Sequence, residues 1–154
     1  MKRLASFGCI VAILLTAMPA TARASIAVVK GELYNQSDAC VWITYYWSYK
    51  SEAHWRIGAS GWVAPGHRDA RFSEIFNFPS LGPQVRIRTQ VMSTANGACT
   101  GDTGRPDIQM QFNFSPKGLS KTEYCKAGAK LVGSRSAGYR LESWSSFDPS
   151  GECS

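Results

Sequence analysis

The sequence has few of the residues and motifs on which catalysis and metal binding usually depend. It contains only two histidines, His54 and His67, in 154 residues. The G-x-S-x-G, H-E-x-x-H and glycine-rich phosphate-loop patterns are absent, and no two cysteines have the close spacing of a zinc site. We therefore predict no cofactor, no metal site and no catalytic residues.

Long apolar runs are also absent beyond the N-terminus. Lys2 and Arg3 precede an apolar stretch over residues 10–18, which is too short to span a bilayer as a helix. Pro19 and small residues up to Ala24 follow, in the small-x-small pattern that signal peptidase recognises. This arrangement is typical of a secretory signal, and a membrane anchor is the alternative.

The sequence thus predicts a cleavable signal peptide over residues 1–24 and one secreted or periplasmic domain over residues 25–154, without a transmembrane segment. Loss of Lys2, Arg3 and Arg23 reduces the 17 basic residues to 14 against 11 acidic ones, so the formal charge falls from +6 to +3. The remaining basic residues are scattered along the chain. A nucleic-acid partner is therefore not expected.

Four cysteines remain after cleavage, and an even number in an exported chain predicts two disulfides. If every strand crosses the domain once, Cys40 and Cys99 lie at one end, and Cys125 and Cys153 lie at the other. Of the three possible pairings, this count favours Cys40–Cys99 and Cys125–Cys153.

Helical periodicity is absent, and apolar residues recur with a period of two. This pattern predicts a disulfide-stapled, all-β, antiparallel sandwich or small barrel of about seven short strands. Loops are expected over residues 72–84, 94–106 and 115–128, a β-bulge between Gly58 and Gly61, and a type II turn at Pro65-Gly66. The strands are predicted at 26–34, 40–49, 54–63, 67–72, 84–92 and 107–115, with a last hairpin of 129–132 and 138–144.

Two early hairpins resemble a known family. The segments Tyr34-Asn35-Gln36-Ser37, Val41-Trp42 and Gly61-Trp62-Val63-Ala64-Pro65-Gly66 are similar to the first hairpins of thaumatin-like sandwiches. The resemblance implies a β-sandwich for this part of the chain. It implies no binding site and no activity, because the many disulfides and the acidic cleft of that family are absent here.

Aromatic residues are concentrated between residues 42 and 62, on strands that also carry polar side chains. Aromatic rings with hydrogen-bonding neighbours suit the apolar faces and polar rims of sugars, whereas rings without a ligand commonly fill a core. The candidate ligand-binding residues are Trp42, Tyr46, Trp47, Trp62, Arg86, Arg88, Gln109 and Gln111.

The sequence therefore predicts an exported, non-enzymatic binding protein for a glycan, a cell-envelope surface or a partner protein. The alternative is a small secreted hydrolase or nuclease, in which His67 with Asp69, or His54 with Glu52, provides acid–base catalysis. Arg71 would stabilise an anion in that alternative.

Overall fold

The computed structural model describes most of the chain after residue 23. The predicted signal peptide lies outside the described residues, apart from Ala24. In the part of the chain that is described, no helix has the length and hydropathy needed to span a bilayer. The described residues are 24–78, 85–93, 97–101, 108–115 and 122–143, with the backbone of 152–153.

The protein is an all-β sandwich, as the alternating pattern predicts. The described residues form nine strands, close to the predicted number of about seven, and the last of them has only two residues. The strands are β1 (Ser25–Asn35), β2 (Val41–Tyr49), β3 (Arg56–Val63), β4 (Arg68–Phe78), β5 (Val85–Ser93), β6 (Ile108–Phe114), β7 (Thr122–Ser134), β8 (Gly138–Ser143) and β9 (Glu152–Cys153).

The strands form two sheets. Sheet A has the order β4-β1-β7-β8, with β9 also pairing with β7, and sheet B has the order β3-β2-β5-β6. Sheet B is antiparallel throughout, but β1 and β7 of sheet A run parallel, with Ile26 opposite Thr122 and Asn35 opposite Leu131. The expectation of a wholly antiparallel sandwich is therefore wrong for this pair.

Two predicted loops contain strand. Residues 122–128 of the expected 115–128 loop belong to β7, and β4 extends to Phe78 rather than ending at Phe72. The inward positions of β7 include Glu123, Cys125 and Ala127, which give no apolar alternation in the sequence. In β4, Phe76 and Phe78 point inward and extend the strand despite the following proline.

The core lies between the two sheets and is rich in aromatic rings. Tyr45 of sheet B stacks on Phe72 of sheet A, with their ring centroids 5.4 Å apart. Burial of such rings supplies much of the hydrophobic stabilisation of a small domain. The largest fully buried side chains are Tyr45, Phe72, Phe76, Phe78, Phe112, Phe114, Leu33, Ile43, Ile87, Leu131, Val29 and Val41.

One open side of the sandwich is closed by an arginine. Arg71 of edge strand β4 donates from Nη1 to the carbonyl of Ser60 at 2.8 Å and from Nη2 to that of Trp62 at 3.0 Å, both on edge strand β3. Its Nε donates at 2.5 Å to the buried carboxylate of Asp69. We call this contact the Arg71 clamp; it satisfies edge carbonyls that would otherwise be open to another strand.

The segments that resemble thaumatin-like hairpins meet at Asn35. Its buried side chain donates to the carbonyls of Ala39 at 2.8 Å and Val63 at 2.9 Å, and its Oδ1 accepts from Ser37. The expected turn follows β3: Gly66 has a φ of 76° and donates from its backbone N–H to the carbonyl of Asn35 at 2.7 Å. Asn35 thereby joins the β1–β2 and β3–β4 connections.

The first predicted disulfide is confirmed, since Cys40 and Cys99 are bonded across a separation of 59 residues. The bond joins the start of β2 to the segment after β5, and it indicates an oxidising compartment. The backbone of Cys125 pairs with that of Cys153 in antiparallel register, which is compatible with the second disulfide. The side chain of Cys153 lies outside the description, so that disulfide stays a prediction.

Candidate functional site: the outer face of sheet B

The outer face of sheet B brings together every candidate residue except Trp47. The register places Trp42 opposite Trp62, Tyr46 opposite Arg88, and Arg88 opposite Gln111. Strand alternation directs all of these side chains away from the core. We call this surface the aromatic–arginine face; it consists of Trp42, Thr44, Tyr46, Ser48, Ile57, Ser60, Trp62, Arg86, Arg88, Gln90, Met92, Gln109, Gln111 and Asn113.

The predicted β-bulge determines which way Ile57 and Trp62 of β3 point. Tyr45 pairs with Ala59 and Tyr46 pairs with Ile57, so Gly58 is the extra residue of the bulged strand. The bulge directs both Ile57 and Trp62 to the outer face. Without it, the alternation of β3 would turn one of them towards the core.

The rings on this face remain partly open to solvent. Trp42 and Trp62 are half-buried and meet edge to face, with their centroids 5.2 Å apart. Tyr46 is half-buried beside Ile57, which is 66% exposed. The exposed parts of these rings form an apolar surface that can receive the C–H face of a ligand.

Amide side chains flank the rings on β5 and β6. Gln90 stands opposite Gln109, and neither side chain has a hydrogen-bond partner among the described residues. Gln111 donates from Nε2 to Oδ1 of Asn113 at 3.1 Å. The face therefore offers both donors and acceptors next to its rings.

Trp55, which immediately precedes β3, lies against the two arginines. The Arg88 guanidinium carbon is 4.0 Å from the centre of the Trp55 rings, and that of Arg86 is 4.8 Å away. These are cation–π distances. Trp55 thus adds a half-buried ring to the end of the face that Arg86 and Arg88 occupy.

Trp47 is separated from the other candidates. It lies on the inward side of β2, where its ring packs edge to face against Phe76 at 5.1 Å and against Tyr49 at 6.0 Å. Arg56 covers it at 4.7 Å. The structure therefore places Trp47 at the edge of the core.

The residues of the hydrolase hypothesis are dispersed. His54 and His67 are both exposed, and the recorded side-chain contact of His67 joins its Nδ1 to the carbonyl of Pro65 at 3.0 Å. Glu52 is paired with Arg56, and Asp69 is held in the Arg71 clamp. Within the described part of the chain, neither histidine has a hydrogen bond or ion pair with a carboxylate, and the hypothesis stays untested.

The shifted pKa values of the described residues belong to groups outside the aromatic–arginine face, such as Tyr45 and Arg56. Burial raises the pKa of the Tyr45 phenol well above its ordinary value of 10.0, and the charge of Asp69 raises it further. Tyr45 therefore stays protonated at neutral pH. The hydrogen bond to Glu52 likewise raises the pKa of Arg56.

Metal binding has no evident site in what the structure describes. No three His, Cys, Asp or Glu side chains come together there as a set of ligands for an ion. The acidic residues that are described mostly pair with basic ones, as Glu32 does with Lys126 and Glu142 with Lys130.

No protein-family model matches the chain, and no curated protein matches it significantly.

The resemblance to thaumatin-like sandwiches thus rests on the early hairpins alone. The chemistry of the aromatic–arginine face has to be inferred from its own residues.

Two residues that matter for the chemistry of this surface, Gln90 and Trp55, were not among the predicted site residues. Gln90 has the same strand parity as Arg86 and Arg88, so the alternation of β5 already contained the signal for it. Trp55 lies outside the strands, and its contact with the arginines depends on the path of the β2–β3 connection. Strand periodicity carries no information about that path.

Proposed function

We propose that this protein is an exported, non-enzymatic module that binds a glycan on the aromatic–arginine face. The observation that carries the proposal is the set of half-buried rings, Trp42, Tyr46 and Trp62, on one sheet face beside Gln90 and Gln109, whose amides have no hydrogen-bond partner among the described residues. Sugar rings combine apolar C–H surfaces with hydroxyl groups. Both parts of a sugar therefore have matching groups on this face.

The scaffold suits a preformed site. Trp42 and Tyr46 are on β2, which is paired on both sides, and the start of β2 is tied to the segment after β5 by the Cys40–Cys99 disulfide. A rigid sheet holds its side chains in place before the ligand arrives, which lowers the entropic cost of binding. Export is supported by the signal-like pattern of residues 1–24 and by that disulfide.

The test is a glycan array followed by calorimetry on the glycans that bind. We expect Trp62→Ala and Tyr46→Ala each to weaken binding about tenfold, or ~1.4 kcal/mol, because each loses a stacking surface. Tyr124→Ala is the matched control, since Tyr124 is 61% exposed on sheet A. It should leave binding unchanged.

Fold integrity is measured on the same samples by thermal unfolding. If the face variants retain full affinity while folded, or if no glycan binds, the proposal is wrong. Vesicle pelleting and a pull-down from envelope extracts cover the two other ligands that the sequence suggested. If no glycan binds, but binding to vesicles or to an extracted protein depends on Trp62 and Tyr46, the ligand of the face is that membrane surface or protein and not a glycan.

A further inference from the structure

The two arginines of the aromatic–arginine face differ in how the protein uses them. Arg86 donates from Nη2 to the carbonyl of Glu52 at 2.7 Å and to the hydroxyl of Ser48 at 3.3 Å. It therefore fastens the β2–β3 connection to β5. Arg88, two positions further along β5, has no hydrogen bond or ion pair with any described residue.

Arg88 is nevertheless held in place. Its guanidinium carbon lies 4.0 Å from the centre of the Trp55 rings, and the backbone of Arg88 is paired with Tyr46 on one side and Gln111 on the other. Contact with an aromatic ring leaves a guanidinium its N–H donors for other partners. Those donors have the geometry to bind a carboxylate with two parallel hydrogen bonds.

The charge on this face is also unbalanced. None of the described residues that form it is an aspartate or a glutamate, although Arg86 and Arg88 are half-buried there. On sheet A, by contrast, Lys126 is 3.6 Å from Glu32, and Lys130 is 3.1 Å from Glu142. A half-buried, positioned cation that has no counter-charge among the described residues of its face can be stabilised by an anionic ligand.

We propose that the ligand of this face is an acidic saccharide, and that Arg88 binds its anionic group while the neighbouring rings stack on the sugar. This inference rests on the proposed glycan-binding function and narrows the class of ligand. The Gln111 amide, opposite Arg88 on β6, is placed to hydrogen-bond a hydroxyl next to the anion. Arg86 serves as a positioning residue for Trp55.

The experiment compares each acidic oligosaccharide with its neutral counterpart. The probes are an oligouronate and its carboxyl-reduced form, and a sulfated oligosaccharide and its desulfated form, titrated calorimetrically into the intact mature protein. We expect one acidic member to bind at least about tenfold more tightly than its neutral partner, because charge-assisted hydrogen bonds are stronger than neutral ones. A preference for the oligouronate would identify a carboxylate as the anionic group of the ligand, and a preference for the sulfated oligosaccharide would identify a sulfate.

Arg88→Gln should abolish that preference without abolishing binding of the neutral form. Arg140→Gln is the matched control, because it removes the same charge from an arginine that is 70% exposed on sheet A. Arg88→Lys keeps the charge and loses the forked geometry, so it should retain part of the preference. It also tests the proposal if Arg88→Gln fails to fold.

The outcomes separate the inference from the function on which it rests. Equal binding of acidic and neutral forms, or a preference that survives Arg88→Gln, overturns the role of Arg88 and leaves glycan binding intact. An absence of binding to any saccharide overturns both. Binding of a single-stranded oligonucleotide that depends on Arg88, without binding of acidic saccharides, would also refute the inference.

Discussion

The Arg71 clamp can be tested by adding one methyl group on the opposite strand. A Cβ on Gly61 would lie 1.3 Å from Nη1 of Arg71, so Gly61→Ala requires the guanidinium to move. Since Nη1 is at the end of a flexible side chain, we expect it to swing into solvent. The hydrogen bonds to the carbonyls of Ser60 and Trp62 would then be lost, while the backbone of β3 stays in place.

The expected loss of stability depends on how far the hydrogen-bonding groups are exposed to solvent. The Arg71 side chain is 36% exposed, so each of its two hydrogen bonds to β3 is worth about 0.5–1 kcal/mol. Replacing glycine by alanine within a strand stabilises the folded state by roughly 0.5 kcal/mol. Gly61→Ala should therefore lower the free energy of unfolding by about 1 kcal/mol. Arg71→Ala should lower it by about 3 kcal/mol, because it also leaves the buried carboxylate of Asp69 without its cationic partner.

The assay is urea unfolding followed by tryptophan fluorescence, with the disulfides intact. In an Arg71→Ala background the three atoms nearest to the added Cβ, all of the Arg71 guanidinium, are gone, so Gly61→Ala should be neutral or stabilise the protein by about 0.5 kcal/mol. Arg140→Ala controls for the loss of an exposed arginine. If Gly61→Ala has the same cost in both backgrounds, the two residues are not coupled and the explanation of the clamp is refuted.

Three further predictions concern the disulfide, the pH dependence and the mature N-terminus. Replacing Cys40 and Cys99 together by serine should lower the free energy of unfolding by about 4 kcal/mol, because the disulfide closes a separation of 59 residues; a loss below about 1 kcal/mol in urea unfolding would contradict this. Hydrogen bonds from Lys130 and Arg140 lower the pKa of Glu142 in the folded protein. The ionised carboxylate therefore stabilises the fold fully above its ordinary pKa of 4.5, and this stabilisation is lost as the pH falls through the lower pKa of the folded state. Glu142→Gln should therefore remove this part of the acid sensitivity, and an unchanged stability–pH curve between pH 2 and 6 would count against it. Intact mass of the exported protein should show cleavage after Ala24 and the loss of four hydrogens, whereas retention of residues 1–24 would exclude the signal-peptide prediction.

The strands that the sequence predicted best are those with large apolar residues at every second position. Ile108–Phe114 and Val85–Ser93 lie within one residue of their predicted bounds, because Phe112, Phe114 and Ile87 alternate with polar side chains. The pattern reports directly which face is buried. The bounds of β5 and β6 could therefore be predicted from periodicity.

Sheet A was harder to predict, since much of its packing uses small or polar residues. Ala127 and Ala129 of β7 are fully buried, but alanine gives no strand signal, and Glu123 is buried in the same row. The parallel pairing of β1 with β7 depends on contacts between distant segments, which local patterns do not contain. The start of β7 and the direction of its pairing with β1 were not predicted for these reasons.

The candidate face was largely predictable because its residues share strand parity. Trp42, Tyr46, Arg86 and Arg88 all alternate with core positions, and the structure places them together. Trp47 was selected for its ring alone, although its parity is opposite to that of Trp42 and Tyr46. Parity would have separated the outward rings from the inward one.

The parallel pairing of β1 and β7 also determines the order in which the chain can fold. Ile26 at the start of the domain pairs with Thr122, so β1 gains this neighbour only after most of the chain has emerged from the ribosome or the export channel. Contacts between segments so far apart in sequence slow folding and leave strand edges open to aggregation. Sheet B, formed from β2, β3, β5 and β6, can assemble earlier from closer segments. We therefore expect a nascent chain that ends before β7 to expose β1 as a chaperone-binding strand, while its aromatic–arginine face is already formed.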